Sequence, residues 1–117
     1  MSVEKRVLLE NITTEASNSD FSYGEKKIGA GYHKNNDGVH TVVYQVNAFS
    51  GTVKIQATLE LYPNDNDWFD VEDTEIGNDS SQFISDVYSR NFTGKFVWIR
   101  AAYNLQNGTI EQIRYNY

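Results

Sequence analysis

The stretch GTVKIQATLEL, Gly51 to Leu61, limits what this chain can fold into more than any other. Val53, Ile55, Ala57, Leu59 and Leu61 alternate with Lys54, Gln56, Thr58 and Glu60. A period of two places the apolar set on one face of a β-strand and the polar set on the other. Such a strand has one dry face that a second layer must cover, and one wet face.

The neighbouring segments point the same way. HTVVYQVNAF, His40 to Phe49, is rich in β-branched and aromatic residues, and Ser50-Gly51 separates it from the alternating run. That arrangement predicts a β-hairpin. FVWIRAAY (Phe96–Tyr103) and TIEQIRYNY (Thr109–Tyr117) flank NLQNG, whose Asn107-Gly108 tolerates positive φ, so a second hairpin is expected there. Val3–Glu10 and Asp20–Lys27 are further strands, and Gly29–Gly38 is loop-like. Ser80–Arg90 has two readings: a helix with Phe83, Ile84 and Val87 on one face, or a loop followed by a strand. Seven or eight short strands in 117 residues, with one proline, predict an all-β, single-domain antiparallel β-sandwich of jelly-roll type over residues 1–117. The first 20 residues or so would serve as an arm ordered by a partner.

Composition narrows the function classes. The chain lacks cysteine, so it has neither a disulfide framework nor thiolate chemistry. The start, MSVEKRVLLENITTE, is too polar for a signal peptide, and no segment approaches the roughly 18 apolar residues of a membrane span. A soluble protein with no membrane partner is expected. The net charge is −6, and the nine carboxylates between Glu60 and Asp86 face no lysine or arginine within that stretch. Nucleic-acid binding through phosphate neutralisation is disfavoured accordingly.

Two segments carry a resemblance. GTVKIQATLEL followed by DWFDV is similar to the core strand, short loop and tryptophan of galactose-binding-like jelly-roll sandwiches. NFTGKFVWIRAAYNLQNGTIEQIRYNY, Asn91 to Tyr117, resembles the closing hairpin of small β-sandwich structural proteins in tailed-bacteriophage virions. The resemblance implies a non-enzymatic virion component assembled in the host cytoplasm, a capsid decoration protein or a neck or tail accessory. Its partners would be other capsid, neck or tail subunits, and it would be a homo-oligomer or lattice-bound.

The acidic knot after the alternating strand is the candidate surface, with Tyr62, Asp65, Asp67, Trp68 and Asp70 as the residues of an interface or ligand site. Asp65, Asp67, Asp70, Glu72 and Asp73 would offer oxygen ligands to calcium, but the glycine and terminal glutamate of an EF-hand loop are out of place. A polar turn and a strand's wet face explain them more simply, so no metal and no cofactor are expected. Paired-carboxylate catalysis needs two groups held apart in a cleft, and a crowd on a turn does not supply that; no catalytic residue is assigned. Trp68 and Phe69 are expected to plug the end of the core. The alternative is a glycan-binding module that stacks a sugar on exposed Trp68 and Tyr62. Trp98 is expected in the core or at an interface. His33 and His40 have no zinc spacing and are expected at the surface or hydrogen-bonded in the core. The four N-x-S/T sequons, at Asn11, Asn78, Asn91 and Asn107, follow from a chain rich in turn residues. Lys5, Arg6, Lys26 and Lys27 lie far in sequence from the acidic block, a polarity that would suit head-to-tail packing or edge-strand protection.

Overall fold

The computed structural model describes residues 6–13, 21–29, 38–77 and 84–116. Its strands are β1 (Arg6–Ile12), β2 (Ser22–Tyr23), β3 (Lys27–Ile28), β4 (Val39–Thr58), β5 (Phe69–Asp70), β6 (Ile84–Thr93) and β7 (Trp98–Asn116). All pair antiparallel in one seven-stranded sheet. The fold is all-β and sandwich-like, as the alternation predicts.

Two strands of 20 and 19 residues, β4 and β7, form the frame. They pair from Thr41↔Asn116 to Thr58↔Trp98. Along the first half of β4 the order is β6, β4, β7, β1; along the second half β5 flanks β4, and β2 and β3 flank β7. A straight β4 would hold His40 and Ala57 roughly 55 Å apart. Instead Phe96 lies 5.6 Å from the His40 ring and 5.7 Å from Phe69, the residue opposite Ala57. The long ribbon therefore folds back on itself, and one sheet supplies both layers around a continuous core.

The bend overturns both expected hairpins. Ser50-Gly51 and Asn107-Gly108 do not reverse the chain; they face each other across β4 and β7, with Ser50↔Asn107 and Gly51↔Leu105. Register breaks cluster between Gln45 and Gly51, where Ala48 has φ +48° and Gly51 φ +131°; across the ribbon Gly108 has φ +85°. Positive φ serves a bulge as readily as a turn, and paired bulges bend a ribbon sharply. The bulges also change the buried parity of β4. His40, Val42, Tyr44 and Val46 are buried before the bend, then Phe49, Val53, Ile55 and Ala57 after it.

Val53, Ile55 and Ala57 thus sit in the core as expected, but Leu59 and Leu61 do not: they are 64% and 48% exposed. β4 stops at Thr58, whose hydroxyl accepts the Glu60 N–H at 3.2 Å. This short side-chain-to-backbone turn breaks the alternation before Leu59 can use it. The Ser80–Arg90 ambiguity resolves as strand from Ile84 onward, with residues 80–83 outside the described residues. From Arg6 onward Val3–Glu10 corresponds to β1, and from Ser22 onward Asp20–Lys27 corresponds to the short β2 and β3; residues 3–5 and 20 lie outside the described residues.

Buried polar groups close the two layers. The Tyr44 hydroxyl, on the first half of β4, donates to the Thr74 carbonyl at 2.7 Å, while the Thr74 hydroxyl accepts the Ile55 N–H at 3.1 Å and donates to the Val71 carbonyl at 2.8 Å. His40 is buried, its ring stacked on Phe92 with centres 4.6 Å apart. Its Nε2 lies 2.6 Å from the Gly94 carbonyl and so donates there, while Nδ1 is 2.9 Å from the Tyr115 hydroxyl. His40 is the hydrogen-bonded core histidine expected; His33 lies outside the described residues.

Candidate functional site

With Val53, Ile55, Ala57, Ile99 and Ala101 turned inward, the second halves of β4 and β7 turn Lys54, Gln56, Trp98 and Arg100 outward. Cross-strand register places Gln56 beside Arg100 on one side and beside Asp70 of β5 on the other. These side chains form one chain of hydrogen bonds. Arg100 Nε donates to Gln56 Oε1 at 2.9 Å, Gln56 Nε2 donates to Asp70 Oδ1 at 3.0 Å, and Lys54 Nζ donates to Asp70 Oδ2 at 2.9 Å.

Aromatic rings cover the cations of this row. The Arg100 guanidinium carbon lies 3.9 Å from the Tyr23 ring centre and 4.2 Å from that of Trp68, so the planar group sits between two rings. Lys54 Nζ lies 4.4 Å from the Phe21 ring centre, and Lys26 Nζ 5.1 Å from that of Trp98. Each contact sets a cation against the negative face of a ring. Burial lowers the pKa of Arg100 below its ordinary value, against the opposing pull of Tyr23 and Asp65. The Lys54 hydrogen bond, helped by Gln56, holds the Asp70 carboxyl below the usual carboxylate range despite its partial burial.

Beside this row opens a cleft of about 510 Å³ lined by Lys26, Leu61, Tyr62, Pro63, Asn64 and Trp98. The Trp98 indole N–H donates to the Leu61 carbonyl at 2.8 Å, which anchors the Leu59–Asn64 loop over the end of β7. Tyr62 is 87% exposed at the rim.

The five residues singled out from the sequence divide among these features. Trp68 and Asp70 join the Arg100 row, and Asp65 acts on it through its charge. Tyr62 belongs to the cleft. Asp67 is a local cap: its carboxylate accepts the Asn64 N–H at 2.7 Å and closes the 3-10 turn Asp65–Asp67. The expected core plug is not formed, because Trp68 is stacked on Arg100 outside the buried core and Phe69, 42% exposed, only rests edge-on against Phe96. Trp98 is half-buried at the floor of the cleft. The carboxylates of the knot are spread over separate partners, and among the described residues no three histidine or acidic side chains converge as metal ligands. The polarity of charge along the sequence is not a polarity in space either, since Lys26 and Lys54 share the outer face with Asp70.

Sequence reasoning missed Tyr23, Lys54, Gln56 and Arg100. The signal lay in the alternation itself: the polar positions of two neighbouring strands share a face, and only the pairing of β4 with β7 lines them up. Comparison of the chain with family models, with characterised proteins and with solved structures finds no match.

Proposed function

We propose that this protein is a non-enzymatic structural component of a tailed-phage virion, a decoration protein or a neck or tail accessory, working by surface-to-surface packing. The observation that carries the adhesive part of this reading is the outer face around Arg100, where Tyr23, Trp68 and Trp98 stand in line with Lys26 and Lys54. Aromatic and arginine side chains of this kind anchor protein interfaces, because each brings a large contact area and a directional polar tip. The virion part rests on the resemblance of Asn91–Tyr117 in sequence alone, since Asn107-Gly108 is a bulge within β7 and not the turn of a closing hairpin. Repetition on a lattice would make many weak contacts of this kind add up.

The test is co-sedimentation with particles or with a purified capsid, neck or tail subunit. Tyr62→Ala and Trp68→Ala should reduce co-sedimentation, while Glu10→Ala on β1, in the other half of the sheet, should not. Undiminished binding by the first two variants would count against this face. A second reading, glycan recognition, is favoured by the cleft alone, where exposed Tyr62 and half-buried Trp98 flank Asn64. Micromolar affinity for a defined glycan, lost in Tyr62→Ala, would put that reading first.

A further inference from the structure

Among the described residues β6 is an edge of the first half of the sheet, with β4 the only strand paired to it. From Asp86 to Thr93 that pairing runs without a register break, whereas β1, at the opposite edge, is bulged between Val7 and Leu9. Two backbone groups of β6 are held by its own side chains. The Val87 N–H donates to Asp86 Oδ1 at 2.8 Å, and Arg90 Nη1 donates to the Ser89 carbonyl at 2.9 Å. In an antiparallel pair the N–H and C=O of one residue point to the same edge, and successive residues alternate. Val87 and Ser89 therefore belong to the set whose backbone groups point away from β4.

A straight edge with outward donors and acceptors is a template for another strand. Its charge pattern says which. Laying a second β6 antiparallel to the first, with a two-fold axis at Tyr88, sets Val87 opposite Ser89 of the second copy, outward groups against outward groups. The same register sets Asp86 opposite Arg90 of the second copy, and Arg90 opposite its Asp86. An axis at Asp86 or at Arg90 would instead oppose like charges, which disfavours pairing.

We propose that two copies of this chain pair through β6 about a two-fold axis at Tyr88. On pairing, Asp86 and Arg90 leave the backbone groups they hold in the single chain and bind each other across the axis as charge-assisted hydrogen bonds. The freed Val87 N–H and Ser89 carbonyl complete the new ladder. The inference builds on the assembly reading by naming where copies meet, and it leaves the Arg100 face open for a different partner. The two tests alter different halves of the sheet, so either can fail alone.

The experiment is sedimentation equilibrium on the full chain. The wild type should form a dimer, and Asp86→Arg and Arg90→Asp should each weaken it by roughly tenfold or more, since each opposes like charges twice across the axis. Mixing the two single variants should restore a heterodimer, and the double variant D86R/R90D should dimerise again. Val87→Pro removes an outward N–H that β4 does not use; it should keep the circular dichroism of the wild type and lose the dimer. A wild type that stays monomeric at every concentration would show that Asp86 and Arg90 only shield the edge, overturning the proposal. A dimer that survives both single charge changes and Val87→Pro would overturn it equally.

Discussion

Tyr44 shows what a single residue does for this fold. Its ring is fully buried, and its hydroxyl reaches the Thr74 carbonyl, which belongs to the segment bonded to the other half of β4. Burial pushes the hydroxyl above its ordinary pKa, which favours the neutral form that donates to Thr74. Tyr44→Phe keeps the ring and strands the Thr74 carbonyl, and should cost about 1–3 kcal/mol in urea unfolding. Asp70 is the contrasting case, an exposed carboxylate paired with Lys54. Its pKa is depressed in the folded state, first by the Lys54 hydrogen bond. Its contribution is therefore complete above the ordinary carboxylate value of about 4 and disappears as pH falls through the depressed value. Because the Asp70 carboxylate is open to solvent and salt, that contribution is at most about 1 kcal/mol. Asp70→Asn should lose that amount at neutral pH and converge with the wild type in acid; a gap that persists unchanged at low pH would assign the effect to packing instead.

At the scale of the element, the end of β4 at Thr58 decides which leucines matter. Ile55 is fully buried and Leu59 is not, although both fall on the same parity of the alternating run. Ile55→Ala should cost about 2–5 kcal/mol and Leu59→Ala less than about 1, a contrast that denaturant melts of the two variants would measure. The comparison also marks how far the sequence was legible. Val53, Ile55 and Ala57 were placed correctly because period-two alternation reports the buried face directly. Thr58 was not seen as a stop, because a threonine that takes the Glu60 N–H has the same strand-like composition as one that does not. Ser50-Gly51 and Asn107-Gly108 read as hairpin turns, yet hairpins and bulges use the same positive-φ conformations. Only knowing that each lies across the ribbon from the other's strand distinguishes the two, and that is long-range information. The same limit hid Arg100, whose role depends on rings contributed by residues 32 positions before it and 77 positions before it, at Trp68 and Tyr23.

On the scale of the whole molecule, the question is whether two layers made from one bent ribbon can melt separately. β4 and β7 run through both, and one buried core joins Val42, Tyr44, Ile110 and Ile113 of the first half to Val53, Ile55, Ile99 and Leu105 of the second. Opening either half would expose the core face of the other and strip Tyr44 of its partner across the bend. The free energy of such an opening approaches that of global unfolding, so thermal denaturation should be a single cooperative step. The two tryptophans, Trp68 and Trp98, make this measurable, because both lie on the second half of the sheet. Ile113→Ala, on the first half, should cost about 2–5 kcal/mol and lower the midpoint reported by tryptophan fluorescence as much as that reported by far-UV circular dichroism. Ile99→Ala, on the second half, should move both signals together in the same way. If Ile113→Ala instead shifted the circular dichroism transition while leaving the tryptophan transition in place, the halves would be separate folding units, and the bends at Gly51 and Gly108 would be hinges between them.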